Sequence, residues 1–322
     1  MTSWLKFMLV ASTATVLAAC GSDDDDPAPG TLTEVATRAG FNSLVAAADK
    51  AGLVPALSDP NADLTVFAPT DAAFTSLATS LGFADANAMV AALDGPTLAK
   101  ILTYHVLPTN ESAAELLAGG ATQETLYELP PGTATTLAVD TTSGVKLTDV
   151  ALNQAAVTSA DVAASNGVIH VIDKVLVPPG VLTVVQMAQS NPTFSVLVEA
   201  VVAAGLADDL SGTGPFTVFA PTDSAFVAAL GELGTTKEAL LADPALPAIL
   251  TYHVVSGDVR AADVVALPKP AAVATLQGST FSVDANLDIT DGRARVAKLL
   301  ATDVIASNGV IHAIDKVLLP AP

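Results

Sequence analysis

An α+β fold built twice in tandem is the class that the sequence predicts, and three observations predict it. The decapeptide TVFAPTDAAF at residues 65–74 returns as TVFAPTDSAF at 217–226. Each copy is preceded by apolar residues at helical spacing and followed by short segments rich in Thr and Val. Helices first and strands later within one unit are typical of an α+β domain.

Two further motifs repeat in the same order and fix the limits of the units. TYHV occupies 103–106 and 251–254, and SNGVIHVIDKVLVP at 165–178 returns as SNGVIHAIDKVLLP at 307–320. Loops absorb the small differences in spacing between the copies. We therefore predict the first domain at residues 31–178, a short linker at 179–180 and the second domain at 181–320.

The chain begins with the pattern of a bacterial lipoprotein signal. Lys6 precedes an apolar run that is too short to span a bilayer of about 30 Å as a helix, and small residues then lead to a cysteine. We predict a signal peptide at residues 1–19, lipidation at Cys20 and an acidic flexible tether at 20–30. An ordinary secretory signal cut near the same point is the alternative. Gly21 after the cysteine favours the outer membrane, and leaves its periplasmic or surface face open.

The repeated decapeptide predicts a joint between a strand and a helix. Its opening Thr-Val-Phe suits a strand, and Pro69 keeps the residue before it in an extended conformation. Thr70 can cap a helix that begins at Asp71. The second copy repeats these two helix-start residues as Thr222 and Asp223.

The later part of each unit predicts one more helix and then strands. That helix carries Leu98 and Leu102, and we expect it to run straight into a Tyr-His-Val strand. An Asn-Gly pair between two strand patterns indicates a tight hairpin in which both turn residues have positive φ. Such turns are predicted at Asn166 and Gly167 and again at Asn308 and Gly309.

Charge and composition exclude several classes of function. The chain carries 33 Asp and Glu against 13 Lys and Arg, and its basic residues are scattered, so nucleic acid is not an expected partner. Its single cysteine excludes disulfides and cysteine-based metal sites. The sequence also lacks a nucleophile elbow, a zinc-protease motif and a Gly-rich phosphate loop. We therefore expect no catalytic residue, no cofactor and no metal.

All four histidines lie in the repeated motifs. A metal site built from His105 and His170 is one interpretation, and a hydrogen-bonded structural role is the other. We favour the second, and as a hypothesis we place a hydrogen bond between His105 and the helix start at Thr70 and Asp71. The matching bond in the second copy would join His253 to Thr222 and Asp223.

The three motifs, in this order and each present twice, resemble the fasciclin domain family. The resemblance covers nearly all of the chain after the predicted signal. It implies a wedge of about seven β-strands in two sheets with a cluster of helices along one side. It also implies a role in cell adhesion and binding of extracellular matrix, without catalysis or a cofactor. In animal members the Tyr-His motif lies in a region implicated in receptor binding, which points to Tyr104, His105, Tyr252 and His253.

Together these inferences predict a lipid-anchored protein of the bacterial cell envelope. Its tandem domains would mediate adhesion or another extracellular interaction with a protein or polysaccharide, and it would touch a membrane only through the lipid on Cys20. The alternative is a periplasmic lipoprotein that binds a small molecule in a cleft between the domains. The sequence leaves the identity of the partner and the oligomeric state open.

Overall fold

The structure is a computed structural model that describes residues 29–142 and 144–322. The predicted signal peptide, Cys20 and most of the predicted tether lie outside these residues. Within the described ranges, no helix combines the length and the apolar character that crossing a membrane requires.

The first domain contains seven helices and seven strands within the described residues. The helices are α1 (Leu32–Arg38), α2 (Asn42–Lys50), α3 (Val54–Leu57), α4 (Asp71–Ser80), α5 (Ala86–Ala92), α6 (Gly95–Tyr104) and α7 (Ala113–Ala118). The strands are β1 (Leu64–Pro69), β2 (Val106–Leu107), β3 (Thr122–Leu129), β4 (Thr133–Asp140), β5 (Lys146–Thr148), β6 (Gln154–Ala164) and β7 (Gly167–Ile172).

The second domain repeats this order, with a short 3₁₀ helix (Pro192–Phe194) after its first α-helix. The helices are α8 (Val184–Ser190), α9 (Ser195–Ala203), α10 (Ala207–Ser211), α11 (Asp223–Leu233), α12 (Lys237–Leu241), α13 (Leu246–Tyr252) and α14 (Ala261–Ala266). The strands are β8 (Phe216–Pro221), β9 (Val254–Ser256), β10 (Ala271–Ala274), β11 (Thr280–Val283), β12 (Ile289–Thr290), β13 (Val296–Ala297), β14 (Leu299–Ala306) and β15 (Gly309–Ile314).

In the first domain the strands form a seven-stranded sheet in the order β2-β1-β7-β6-β5-β4-β3. The strands β1 and β7 run parallel, and the other neighbours are antiparallel. The long strand β6 pairs with both β5 and β7, and its pairing with β7 contains two register shifts. In the second domain the matching strand is divided into β13 and β14, which gives two four-stranded sheets. The predicted α+β class with two tandem fasciclin-like domains is confirmed.

Strand β1 lies between two hydrophobic cores because its successive side chains point to opposite faces of the sheet. Val66 and Ala68 pack in the core under the helices, whereas Phe67 packs in the core enclosed by the curved sheet. Strand β8 divides the second domain in the same way. The repeated decapeptide is therefore the element that joins both cores of each domain.

The two domains pack directly against each other. Ala151, in the loop between β5 and β6, belongs to the hydrophobic core of the second domain. Its carbonyl oxygen accepts a hydrogen bond from Asn191 Nδ2 at 2.7 Å. In the connecting segment, the hydroxyl of Tyr127 donates to the carbonyl of Pro179 at 3.1 Å, and the N–H of Gly180 donates to the carbonyl of Ile305 at 2.9 Å.

The Tyr-His-Val segment differs from the sequence prediction of a strand. Tyr104 is the last residue of α6, His105 caps the helix, and β2 begins only at Val106. The N–H of His105 bonds to the carbonyl of Leu102, so the last helical turn tightens before the strand starts. The predicted direct passage from helix to strand is wrong by two residues for this reason.

The hairpin turn also differs from the prediction. Ala164 pairs with Gly167 across the hairpin, so the turn residues are Ser165 and Asn166, and Gly167 is the first residue of β7. Gly167 has φ 149°, and a Cβ at this position would collide with the carbonyl oxygen of Leu64 in the adjacent strand. The glycine is thus required by close approach of β1, not by a turn with two positive φ angles. Gly309 repeats this arrangement against Phe216.

Asn166 joins three segments of the first domain through its buried side-chain amide. Its Oδ1 accepts a hydrogen bond from the N–H of Leu32 at 2.8 Å, and its Nδ2 donates to the carbonyls of Leu57 and Asp59 at 3.0 and 2.9 Å. Asn308 does the same in the second domain, with Val184, Leu210 and Gly212. The amide therefore holds the start of α1 and the end of α3 on the hairpin.

We expect Asn166→Ala to lower the free energy of unfolding by about 3 kcal/mol or more, because three hydrogen bonds of about 1 kcal/mol each are lost in a buried site. Urea and thermal unfolding measure this loss. Asn110→Ala, at an exposed position of the same domain, is the matched control and should change stability by less than about 0.5 kcal/mol. Equal losses in the two variants would contradict the role given to Asn166.

Candidate functional site

The polar residues of the repeated motifs lie at the junctions between helices and sheet. Thr65, Asp71, His105, Asn166 and His170 form this set in the first domain. Their counterparts in the second domain are Thr217, Asp223, His253, Asn308 and His312. Each of these side chains bonds to at least one backbone group. We call them the junction residues.

Asp71 links the starts of two helices. Thr70 is the N-cap of α4, and its hydroxyl accepts from the N–H of Ala73 at 3.1 Å. The Asp71 carboxylate turns to the start of α2, where it accepts from the N–H of Ser43 at 2.8 Å and from Asn42 Nδ2 at 3.1 Å. Burial opposes ionisation of Asp71, but these hydrogen bonds outweigh it and lower the pKa of the carboxyl.

The second domain keeps this link between helix starts. Thr222 caps α11 by accepting from the N–H of Ala225 at 3.3 Å. The Asp223 carboxylate accepts from the N–H of Val196 at 2.9 Å and from the hydroxyl of Ser195 at 2.5 Å. A carboxylate at a helix N-terminus is favourable in both domains because it satisfies unpaired N–H groups and complements the helix dipole.

The hypothesis that His105 bonds to Thr70 and Asp71 is wrong. His105 Nδ1 donates to the carbonyl of Ile101 at 2.7 Å, and Nε2 accepts from the N–H of Leu176 at 2.9 Å. The carbonyl belongs to the last turn of α6, where no later helical N–H can pair with it. The imidazole therefore connects the end of α6 to the segment that follows β7.

His253 makes the matching contacts, so the hypothesis is wrong for the second copy too. It bonds to the carbonyl of Ile249 at 2.8 Å and to the N–H of Leu318 at 2.8 Å, and not to Thr222 or Asp223. In both domains the two ring nitrogens are fully used by backbone groups.

The second pair of histidines uses the opposite tautomer. His170 Nδ1 accepts from the N–H of Asp161 at 3.2 Å, and Nε2 donates to the carbonyl of Glu111 at 2.9 Å. His312 repeats these bonds with Asp303 and Val259. The proposed metal site of His105 and His170 would need a free ring nitrogen on each residue. Neither has one, and the described ranges contain no group of three or more His, Cys, Asp or Glu placed to hold a metal ion.

The tyrosines that the resemblance connects with receptor binding lie inside the domains. Tyr104 is fully buried, and its hydroxyl donates to the carbonyl of Thr136 at 3.1 Å. Tyr252 is fully buried as well and donates to the carbonyl of Thr280 at 2.9 Å. Burial raises the pKa of both phenols. A direct contact between these rings and a partner would require the core to open.

Sequence reasoning missed one pair of buried carboxylates, Asp149 and Asp291. Asp149 accepts from the N–H groups of Asn153 and Val177, each at 2.8 Å, and from Asn153 Nδ2 at 3.4 Å. The sequence did offer one sign of this pair. In both copies an Asp comes directly after the Thr that ends a short strand. A single Asp before a turn was not distinctive enough to be chosen.

The two carboxylates differ in their electrostatic environment. Asp291 accepts from Arg295 Nε and Nη2 at 2.9 and 2.8 Å and from the N–H of Leu319 at 3.0 Å. Asn153 occupies the position of that arginine in the first domain, and among the residues that the structure describes its buried Oδ1 has no hydrogen-bond partner. Burial raises the pKa of Asp149 to about 7. Burial also opposes ionisation of Asp291, but the hydrogen bonds from Leu319 and Arg295 outweigh it and the pKa is lowered.

We expect His105 and His253 to stay neutral between pH 5.5 and 8, because burial lowers the pKa of both imidazoles to about 4. Their NMR ring signals should not titrate in this range, and a His105→Gln variant assigns the first of them. Unfolded histidine binds a proton near pH 6.5, so this contribution to stability is complete above pH 6.5 and is lost as the pH falls toward 4. A ring signal of His105 that titrates near pH 6.5 would contradict this.

We also expect Asp149→Asn to cost more stability at pH 5 than at pH 8. Between pH 4 and 7 the folded state holds the Asp149 proton more tightly than the unfolded state, so its contribution declines by about 1.4 kcal/mol per pH unit as the pH rises. Asp291→Asn is the matched control. Its lowered pKa places any change below pH 4, so its cost should be the same at pH 5 and pH 8 by urea unfolding. Equal pH dependence in the two variants would contradict the difference assigned to Asn153 and Arg295.

Comparisons with known proteins agree with this double architecture. A family model described as the fasciclin domain matches residues 39–178 and again residues 192–320. The protein sll1483 of Synechocystis sp. is 46% identical over 143 residues, which are 43% of this chain and 74% of that protein. The transforming growth factor-beta-induced protein ig-h3 of Sus scrofa is 31% identical over 279 residues, which are 83% of this chain and 36% of that protein.

A solved structure described as a FAS1 domain pair from the insect cell adhesion molecule Fasciclin I aligns with 89% of this chain and 95% of its own. The alignment has a TM-score of 0.45 and 20% sequence identity.

Proposed function

The chain belongs to the fasciclin domain family, as its three repeated motifs predict, and from that membership we propose that it is an adhesion protein of the bacterial cell envelope. It is anchored by a lipid on Cys20. Its two domains bind a protein or polysaccharide outside the cell or in the periplasm.

One observation carries the proposal of a binding function. The polar side chains of the repeated motifs are turned inward and engaged with the backbone, as His105 and His170 illustrate with both ring nitrogens. Catalysis needs groups that can meet a substrate and exchange protons with it. Because the junction residues are committed to holding the fold, recognition falls to the outer surfaces of the two domains.

The packing of the domains supports presentation of these surfaces as one unit. The bond from Asn191 to Ala151 and the apolar contacts around Ala151 cross between the domains. The bonds at Pro179 and Gly180 fix the connecting segment as well. Binding a partner that contacts both domains would therefore cost little conformational entropy, because the two domains are already fixed relative to each other.

The charge of the chain supports a partner other than nucleic acid. The formal net charge is −20, and the sequence contains no cluster of basic residues of the kind that binds phosphates. The acidic residues Asp23–Asp26 stand next to the proposed lipid anchor. Their mutual repulsion would extend the tether and hold the domains away from the membrane.

Deletion of the gene should lower attachment or aggregation of the source bacterium, and the complete chain should restore it. A Cys20→Ser chain should appear in the soluble fraction and fail to restore attachment, because it loses the anchor but keeps both domains. Attachment assays on several surfaces together with membrane fractionation measure both effects. Unchanged attachment of the deletion strain on every surface and cell type would overturn the adhesion proposal.

A cleft between the domains favours a second candidate function, binding of a small molecule. The cleft has a volume of about 230 Å³ and lies between α4 and the region around the end of α8. Its polar lining includes Ser76, Ser80, Lys174 and Gln189. The volume is below the range of about 300–1,000 Å³ that is usual for ligand pockets, so we rank this function second. Unchanged attachment after gene deletion would move it to first place.

A further inference from the structure

The two domains differ in whether one of their apolar faces is covered. In the second domain, an apolar face is covered by Ala151 from the first domain, and Leu152, which is 38% exposed, lies beside it. This face is formed by Met187, Ala188, Phe194, Val304 and Ala313, and each of these residues is at most 9% exposed.

The first domain has the same face, which we call the docking face. Its residues occupy the matching positions in α1, before α2, in β6 and in β7, and they are Val35, Ala36, Phe41, Val162 and Val171. Four of the five are only partly buried, whereas all five counterparts in the second domain are buried. Within the described ranges, the docking face therefore lacks the cover that its counterpart receives from the neighbouring domain.

The loop that covers the face in the second domain has a counterpart with different side chains. Arg293 and Ala294 occupy the positions of Ala151 and Leu152 in the loop after β12. The backbone is alike in both loops, since Leu152 has φ 65° and Ala294 has φ 59°. The two loops thus share a backbone conformation and differ in the side chains that they carry at these two positions.

This difference argues against a second copy of the chain as the partner through that loop. Arg293 is exposed, and docking would press its guanidinium against valine and phenylalanine side chains. Removing a charge from water without a partner is costly. A head-to-tail row of identical chains is disfavoured for that reason.

We propose that the docking face of the first domain binds the corresponding loop of a fasciclin-type domain in another protein, one with apolar residues where this chain has Ala151 and Leu152. The occupied face of the second domain supplies the geometry of the complex. This inference rests on the proposed binding function and narrows the partner to one class of domain.

Two substitutions in the loop and one on the docking face turn this chain into a probe for that face. Arg293→Ala with Ala294→Leu gives the second domain the apolar loop of the first. Adding Val35→Glu blocks the docking face of the probe itself, so that two probe molecules cannot bind each other. The triple variant of residues 21–322 is passed over an immobilised wild-type chain, and binding is followed by surface plasmon resonance.

We expect the probe to bind the wild-type chain at least about tenfold more tightly than a chain with Val35→Glu alone, whose loop keeps Arg293. The probe should not bind an immobilised chain that carries Val35→Glu. Thr37→Glu is the matched receptor control, since it places the same charge at an exposed position of α1, and it should bind normally. Circular dichroism establishes that each variant is folded.

Three results would overturn the inference. A folded probe that does not bind the wild-type chain would show that the face does not accept the loop. Equal binding of probe and Arg293 chain would show that the loop residues do not matter. Self-association of the wild-type chain that Val35→Glu abolishes would make a second copy the occupant. None of these results affects the whole-cell attachment assay, so failure here is distinguishable from failure of the adhesion proposal.

Discussion

Each domain depends on buried side chains that pair with backbone groups which neither helix nor sheet can satisfy. Where α6 ends and the chain crosses into β2, the carbonyl of Ile101 and the N–H of Leu176 would both lack partners without His105. Asn166 and Asp71 likewise accept hydrogen bonds from unpaired N–H groups at the starts of other helices. A buried unpaired group costs about 1–3 kcal/mol, so a few such losses would remove much of the stability of a domain.

The two copies keep the junction residues but differ in the loop between β5 and β6 and its counterpart. In the first domain this loop packs on the second domain through Ala151, and its Asp149 carboxylate accepts hydrogen bonds from the N–H groups of Asn153 and Val177. In the second domain Arg295 neutralises Asp291, and the loop lies against the C-terminal residues of the chain. One loop position therefore contacts the neighbouring domain in the first copy and the segment around Leu319 in the second, and its side chains follow that difference.

The repeated motifs were sufficient to predict the duplication, and periodicity together with capping and turn residues predicted the fold class and the strand-to-helix joint at Thr70. The partners of the junction residues were not predictable, because they are backbone groups that leave no trace in a side-chain pattern. His105 was placed in the right region and given the wrong partner for this reason. Gly167 was identified as special, but its cause is a close approach of Leu64, more than a hundred residues earlier in the chain. Asp149 was missed since an acidic residue at a turn usually lies in solvent.

The single difference between the two decapeptides lies on the outer face of the domain. Ala72 and Ser224 are both exposed on the first turn of their helices. The positions around them are buried or engaged in capping, as Thr70 and Phe74 are, and they are identical in the two copies. Ser224 adds a hydrogen bond to the hydroxyl of Thr222 at 2.8 Å, and the capping bond itself is kept in both copies, so this outer position can diverge at little cost to stability. The repeated motifs therefore report how the domain is built.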